Sequence, residues 1–584
     1  MFGFALLRDA VLALVVLRVS TTESFAPEPV GESVPTLRVG ALPADLKLDG
    51  VLDEPGWRLA PAIENLTMVE PVQGAEPTYR TTVRVLADSR QMVIGVRCFD
   101  DEIKGIVSYA VARDASIESE DHVRIVLGTF QDGRTGYVFA VNPGGARYDA
   151  LVARRGEGED SSWDGIWEAA TSRDAAGWGL EVRIPIRTLN FKEGLDAWHF
   201  NVGRKVQRLL ESSRWAGARL DWRLTQTAHA GLLTGLPQFD LGWGLAVRPG
   251  IAARESQADR NEDREWELAP NLDVSWKPTP DLTVQLTANT DFAETEVDTR
   301  RTNLTRFPLF FPEKRAFFLE GVDLFDFGLG LDHDLTPYHS RRIGLVDGQE
   351  VSLLAGSKVY GRIGRTSIGG LVVQTGHESG VAPSETMSVM RIRRDVLEES
   401  TVGVMATAGD PLGRGDSYLT GADFTYQTSR FLGDKNFLLG VWGLTTDRED
   451  LEGDSRSAIG GKIDYPNDLW DIVATWKRIG EDFDPSLGFV PRRGIHTYRV
   501  GVEYMPRPRW NLVRQMFYEL SASYVTDLDH RWETYRLSAS PLKWEFESGD
   551  EVELEVSRHG DRPEEDFEVG EDVASHALWD QASH

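Results

Sequence analysis

The sequence predicts an all-β chain, an N-terminal β-sandwich followed by a large antiparallel β-barrel of the transmembrane type. Three observations predict it. Strand-length runs, many alternating apolar and polar residues, recur from residue 44 almost to the C-terminus, separated by Gly-, Asp- and Pro-rich turns. No βαβ rhythm interrupts them, which argues against a nucleotide-binding fold. Beyond the first few residues no run of about 18 apolar residues occurs, so no helix is expected to cross a bilayer, whereas barrel strands escape hydropathy.

Composition narrows the function classes. The 584 residues suggest two to four domains at roughly 150 residues each. Lys and Arg number 63 against 92 Asp and Glu, a formal charge of −29, which argues against a nucleic-acid partner. The lone Cys98 excludes an intrachain disulfide and a cysteine-based zinc cluster. It sits in a strand-like run and reads as a small buried apolar side chain.

Met1–Ala26 reads as an export signal. Arg8 precedes the apolar Ala10–Leu17 and Ser24-Phe25-Ala26 forms a small-x-small cleavage site, with Asp9, Arg18 and Pro27 against it. Residues 27–43 read as a linker.

The sandwich is expected over residues 44–236. Thr81–Leu86 and Gln91–Val96 form a hairpin, His122–Leu127 and Gly136–Val141 flank the Gln131-Asp132-Gly133 turn, and Leu180–Ile186 and Trp198–Val202 add strands. Asn142-Pro143-Gly144-Gly145 is a tight turn. The aromatic group Tyr137, Tyr148, Trp163, Trp167 and Trp178 offers flat faces for the apolar side of a sugar ring, or packs the core. Trp163 and Trp167 share a face only if that stretch is helical. Among the acidic residues, Asp100, Asp114 and Asp121 are the candidates for a calcium site, the alternative being a solvated acidic face.

Several stretches here carry a resemblance. Leu48-Asp49-Gly50-Val51-Leu52-Asp53-Glu54-Pro55-Gly56-Trp57 looks like the opening of family-9 carbohydrate-binding domains. Gly136–Gly144, Ser162–Trp167 and Gly177–Pro185 resemble the same group. The resemblance implies a sandwich that holds a sugar between two tryptophans, with Trp163, Trp167, Trp178 and Tyr137 as the candidates. Trp57, in the entry segment, is expected to be structural.

From residue 237 to 584, alternating segments recur every 15–25 positions or so, among them Thr283–Asn289, Tyr418–Tyr426, Ile472–Lys477 and Phe517–Val525. In 281–287, Leu282, Val284 and Leu286 lie on one side and Asp281, Thr283, Gln285 and Thr287 on the other. The region holds on the order of 14–16 strands. Trp243, Trp276, Trp442, Trp470 and Trp476 are expected to form the interfacial girdles. A second soluble sandwich or a propeller would show the same alternation.

Asn289–Asp298 and Asn303–Gly321, followed by Ser340–Gly344 and Asp484–Arg493, are very similar to bacterial envelope proteins carrying domain of unknown function 5916. Such proteins are often described as carbohydrate-binding outer-membrane proteins. The resemblance implies a sandwich, an outer-membrane barrel, a carbohydrate ligand and contact with outer-membrane lipid. If extended, Glu294, Glu296 and Asp298 share one face, as a cation or sugar site or as partners of Arg300, Arg301, Arg306, Lys314 and Arg315. Phe307, Phe310, Phe311, Phe317 and Phe318 read as a packed plug or an interface belt. Barrels commonly finish on a strand with a terminal aromatic, whereas this chain finishes Trp579-Asp580-Gln581-Ala582-Ser583-His584, which leaves open whether its last strands are present.

No Gly-x-Ser-x-Gly elbow, His-Glu-x-x-His, Walker loop or dinucleotide fingerprint occurs. The first reading is a sugar-binding protein of the cell outer membrane, serving glycan capture or uptake. The alternatives are an exported hydrolase of O-glycosyl bonds with an accessory binding domain, and a non-catalytic structural or adhesion protein.

Overall fold

The computed structural model describes residues 34–153, 156, 158–256, 265–290, 307–346, 349–508, 510–562, 567–568, 574–575 and 579–583. The chain divides into two units, Met1–Pro35 and Thr36–His584, and all elements below belong to the second.

Two sheets build the sandwich. Ala197–Val206 lies inside a nine-stranded sheet, between His122–Gly128 and the Gly231–Thr234 strand, with Tyr137–Val141 and Arg147–Ala153 beyond. The facing six-stranded sheet runs Glu168–Asp174, Gly177–Pro185, Gln91–Phe99, Thr81–Ala87 and Gly40–Ala41. Their apposed faces share one core, including Val83, Val85, Ile94, Cys98, Ile125, Phe139, Trp178, Leu180 and Phe200. The expected hairpins are present, and 164–167 is not helical.

The third sheet is antiparallel, with sixteen strands in sequence order. They are β1 Leu245–Ser256, β2 Glu265–Thr279, β3 Leu282–Thr290, β4 Leu353–Ile363, β5 Thr366–Thr375, β6 Thr386–Val396, β7 Ser400–Ala408 and β8 Ser417–Phe431. Then follow β9 Lys435–Arg448, β10 Ser457–Pro466, β11 Trp470–Ile479, β12 Ile495–Tyr504, β13 Val513–Asp527, β14 Trp532–Phe546, β15 Glu551–Asp561 and β16 Trp579–Ser583. This is a barrel-type meander. Among the described residues β1 and β16 do not pair with each other.

The sheet inverts the polarity of a soluble protein. Lys477 is fully buried and Arg391 only 1% exposed, while Leu520 is 62% exposed. Because side chains alternate across a strand, one face carries the buried polar set and the other the exposed apolar one. On β8, Leu419, Asp423, Gln427 and Ser429 point inward and Tyr418 outward.

The inner face is covered by residues 307–346, a strap between β3 and β4. It has almost no regular structure, only short turns of helix such as Ala316–Leu319 and Val322–Phe325. Lys358 on β4 donates to the Phe317 and Glu320 carbonyls, the latter at 2.6 Å. Arg391 on β6 donates Nε to the Asp326 carbonyl at 3.0 Å, and Lys477 on β11 reaches the Leu331 carbonyl at 3.1 Å. Arg499 on β12 pairs with Asp332 and Asp334. The strap thus advances strand by strand across the sheet, buried cations meeting carbonyls that no helix satisfies. Glycines make room for it: a Cβ at Gly440 would strike Leu329 and one at Gly369 would meet Phe325.

Candidate functional site

The sugar-binding candidates do not form one platform. Trp178 stands opposite Cys98 on its strand and is fully buried in the core. Trp167 is buried against Phe139, and Tyr137 is buried with its hydroxyl accepting from the Asn190 N–H at 2.8 Å. Stacking on a sugar needs an open ring face, so Trp178, Trp167 and Tyr137 are packing residues in this structure. The pairing of two tryptophans across a sugar is therefore not assembled from these residues.

Trp163 differs. It is half-buried, its ring 4.9 Å from Tyr137 and 6.0 Å from Phe139, centroid to centroid. Its loop is braced from below. The buried Asp149 carboxylate accepts from the Gly165 N–H at 2.6 Å and from Arg113 at 2.7 Å. Arg113 also donates to the Gly165 carbonyl at 2.9 Å and pairs with Asp164. Burial pushes the Asp149 carboxyl up, and the Gly165 N–H and Arg113 oppose the rise. Asp160 accepts from Ser162 in the same stretch, so the half-buried Trp163 stands in a segment rich in polar side chains.

The Asp-Gly opening motif is structural. Glu181, fully buried, accepts from the N–H groups of Asp49 and Gly50 at 2.9 and 2.8 Å and from Trp57 Nε1 at 3.0 Å. The motif ties the entry segment to the second sheet through one carboxylate.

The calcium candidates are not brought together. Asp100 is held by both Nη groups of Arg208 at 2.8 and 2.7 Å, and the guanidinium excludes a cation from those oxygens. Asp121 accepts the Val107 N–H at 2.7 Å, and Asp114 lies beside Arg113. Among the described residues no group of three His, Cys, Asp or Glu is arranged to hold a metal. Glu294, Glu296 and Asp298, with Arg300, Arg301 and Arg306, lie outside the described residues.

The phenylalanine cluster belongs to the strap. Phe317 and Phe318 are buried against Leu353, Leu371 and Val389, while Phe310 packs on His339 and Phe489. Ser340–Gly344 and Asp484–Arg493 meet there too. Thr336 and Phe489 exchange backbone hydrogen bonds, and Arg342 Nε donates to the Gly488 carbonyl. The clamp is Glu313, which accepts from Arg315 Nη2 and Ser340 Oγ, each at 2.6 Å. Burial alone would raise this carboxyl, but Arg315 and Ser340 hold it at about 2. A folded-state pKa below the free value of 4.5 stabilises the strap above that value, and the stabilisation is lost as pH falls toward about 2. Cleavage of the strap at Phe317 and Phe318 by an acid-active protease such as pepsin is expected to accelerate over that descent, and Glu313→Gln should already cleave readily at its upper end.

The outer face has its own order, which the sequence reading caught only in part. Trp470, Tyr504 and Tyr518 are cross-strand neighbours on β11, β12 and β13, and Trp476, Tyr498, Tyr524 and Tyr535 form a second row across β11–β14. Between them lie Ile472, Val502, Leu520 and Ala539, then Ala474, Val500, Ala522 and Leu537. On β11, β12 and β13 the two aromatic positions are six residues apart, roughly 20 Å at a strand's rise. Trp243 and Trp276 are exposed as expected of girdle residues, but Trp442 is not: it is buried on the inner face against Gly328 of the strap. Both faces of β9 are apolar near Trp442, so alternation did not reveal its side.

A family model described as a domain of unknown function, DUF5916, matches residues 245–361. That stretch spans β1 to β4 and includes the strap. No curated protein matches the chain. Among solved structures, a candidate carbohydrate-binding protein from Bacteroides uniformis is 15% identical with a TM-score of 0.29, over 35% of this chain and 99% of that one. Pseudomonas aeruginosa OccK5 (OpdH) is 7% identical with a TM-score of 0.27, over 76% of this chain and 92% of that one. A BenF-like porin from Pseudomonas fluorescens is 6% identical with a TM-score of 0.26, over 79% and 94%.

Proposed function

We propose that this chain is an outer-membrane protein whose sandwich binds carbohydrate through the Trp163 loop, serving glycan capture at the cell envelope. The observation that carries the membrane part is the outer band of β11–β14, two aromatic rows bounding two rows of aliphatic residues. A barrel in lipid needs this arrangement, with backbone polar groups paired between strands and aromatics at the headgroup level. A soluble sheet would gain nothing from exposing Leu520, Leu537 and Val500 together. The strap fits the same reading, because its carbonyls and aspartates answer the buried lysines and arginines of the inner face.

The carbohydrate part rests on Trp163 and the family-9 resemblance. It is tested by glycan-array binding of the detergent-solubilised full chain. Trp163→Ala is expected to weaken binding about tenfold, the worth of one stacked ring, with a lowered thermal unfolding midpoint from the lost packing on Tyr137 and Phe139 but a folded protein. Equal binding by the variant would sink the Trp163 assignment. A folded protein that binds no glycan would favour a structural envelope role, for which the burial of Tyr137, Trp167 and Trp178 already speaks.

A further inference from the structure

The two ends of the sixteen-stranded sheet differ. At one end the turns are short: Pro280-Asp281, Gly364-Arg365, Leu397–Glu399, Leu432–Asp434 and Asn467–Leu469 join successive strand pairs with two or three residues each. The β14–β15 turn, 547–550, is also short, and 505–512 between β12 and β13 is the longer one. At the other end the connections 376–385, 409–416, 449–456 and 480–494 are longer, the strap connection is the longest, and only 528–531 is tight.

The sandwich docks on the short-turn end. The Phe191 N–H donates to the Pro280 carbonyl at 3.1 Å. Asp132 pairs with Arg362 beside the next turn, and Arg134 pairs with Asp395 at 2.6 Å beside the one after. Asp221 serves two further turns, pairing with Lys435 at 2.6 Å and accepting the Asp468 N–H at 3.1 Å. Arg514 donates to the Leu210 carbonyl at 2.8 Å next to the 505–512 turn. Six consecutive short-end turns are therefore engaged by one sandwich.

We infer that the sandwich is a periplasmic cap on the short-turn mouth of the sheet, so that the carbohydrate it meets is a periplasmic glycan rather than an extracellular one. Bacterial outer-membrane barrels place short turns in the periplasm and long loops outside. A sandwich bound to the short turns is then on the inner side. The inference rests on the membrane reading of the sheet and adds its direction.

Cysteine labelling in intact cells tests it. Cys98 is fully buried and burial pushes its thiol up to about 11, so the unaltered chain supplies a silent background. One variant carries Leu59→Cys in the sandwich, where Leu59 is 86% exposed. The other carries Ser379→Cys, at an exposed position of the 376–385 connection. With a membrane-impermeant maleimide, Ser379→Cys should label in intact cells. Leu59→Cys should stay at background until the outer membrane is permeabilised. Labelling of Leu59→Cys in intact cells would overturn the inference while leaving the membrane reading intact. Recovery of both variants in the soluble fraction would overturn the membrane reading and the inference with it.

Discussion

Arg391→Leu is expected to destabilise the protein by about 3–5 kcal/mol, the usual cost of leaving one partner of a buried ion pair behind. Arg391 on β6 is 1% exposed and reaches both carboxylate oxygens of Asp423 on β8, Nη2 to Oδ2 at 3.0 Å. It also donates Nε to the Asp326 carbonyl and lies over the Phe327 ring, so its loss unpins the strap as well. A leucine keeps much of the volume but strands Asp423 as a buried charge. Arg391→Leu with Asp423→Leu should recover most of the loss, because an apolar pair of similar size leaves nothing unpaired. Urea unfolding of the refolded protein in detergent, followed by tryptophan fluorescence, reads the difference as a shift in midpoint. If the single and double variants unfold together, the charge pairing is not what holds this part of the inner face.

Leu520→Arg is expected to cost about 2–4 kcal/mol in a bilayer, as a cation does near the midplane on the lipid side of a barrel. Leu520 pairs with Val502 and Ala539, between the two aromatic rows at two positions from Tyr518 and four from Tyr524, and is 62% exposed. Its neighbour Ser521 points to the other face. Ser521→Arg should therefore be tolerated far better, although it is one residue away. In water the ranking would reverse or vanish, since an arginine replacing an exposed leucine on a soluble sheet is nearly neutral. The fraction folded in lipid vesicles, read by heat-modifiable gel mobility, separates the two cases.

Much of the fold was legible because a strand's side chains alternate, and the sheet's strands fall on segments such as Tyr418–Tyr426 and Ile472–Lys477. The strap was not legible as such. It is held by single lysines and arginines reaching carbonyls across long sequence distances, and no local period encodes that. Lys358, Arg391 and Lys477 did leave a signal, each being a cation at the inward parity of its strand, joined there by Arg362 on β4 and Arg393 on β6. For the candidate site, Trp163 in Ser-Trp-Asp-Gly and Trp178 in Gly-Trp-Gly are the same residue type, each with a glycine within two positions, and composition could not separate them. Periodicity could have: Trp178 has the parity of Leu180, Val182 and Ile184, all buried on one side of their strand. Glu181, on the opposite parity among apolar neighbours, marked the position where the opening motif would find its acceptor. Calcium was suggested by acidic residues close in sequence, but Arg208, more than 100 positions downstream, is what answers Asp100.

The central claim is that the outer face of the sixteen-stranded sheet meets lipid. Fractionation of cells expressing the unaltered full chain, with the outer membrane separated and its proteins run heated and unheated, tests it most directly. Recovery in the outer-membrane fraction and a faster-migrating unheated form are expected, as a folded barrel-type sheet resists detergent. A water-soluble periplasmic or cytoplasmic product with no heat-dependent mobility would contradict it.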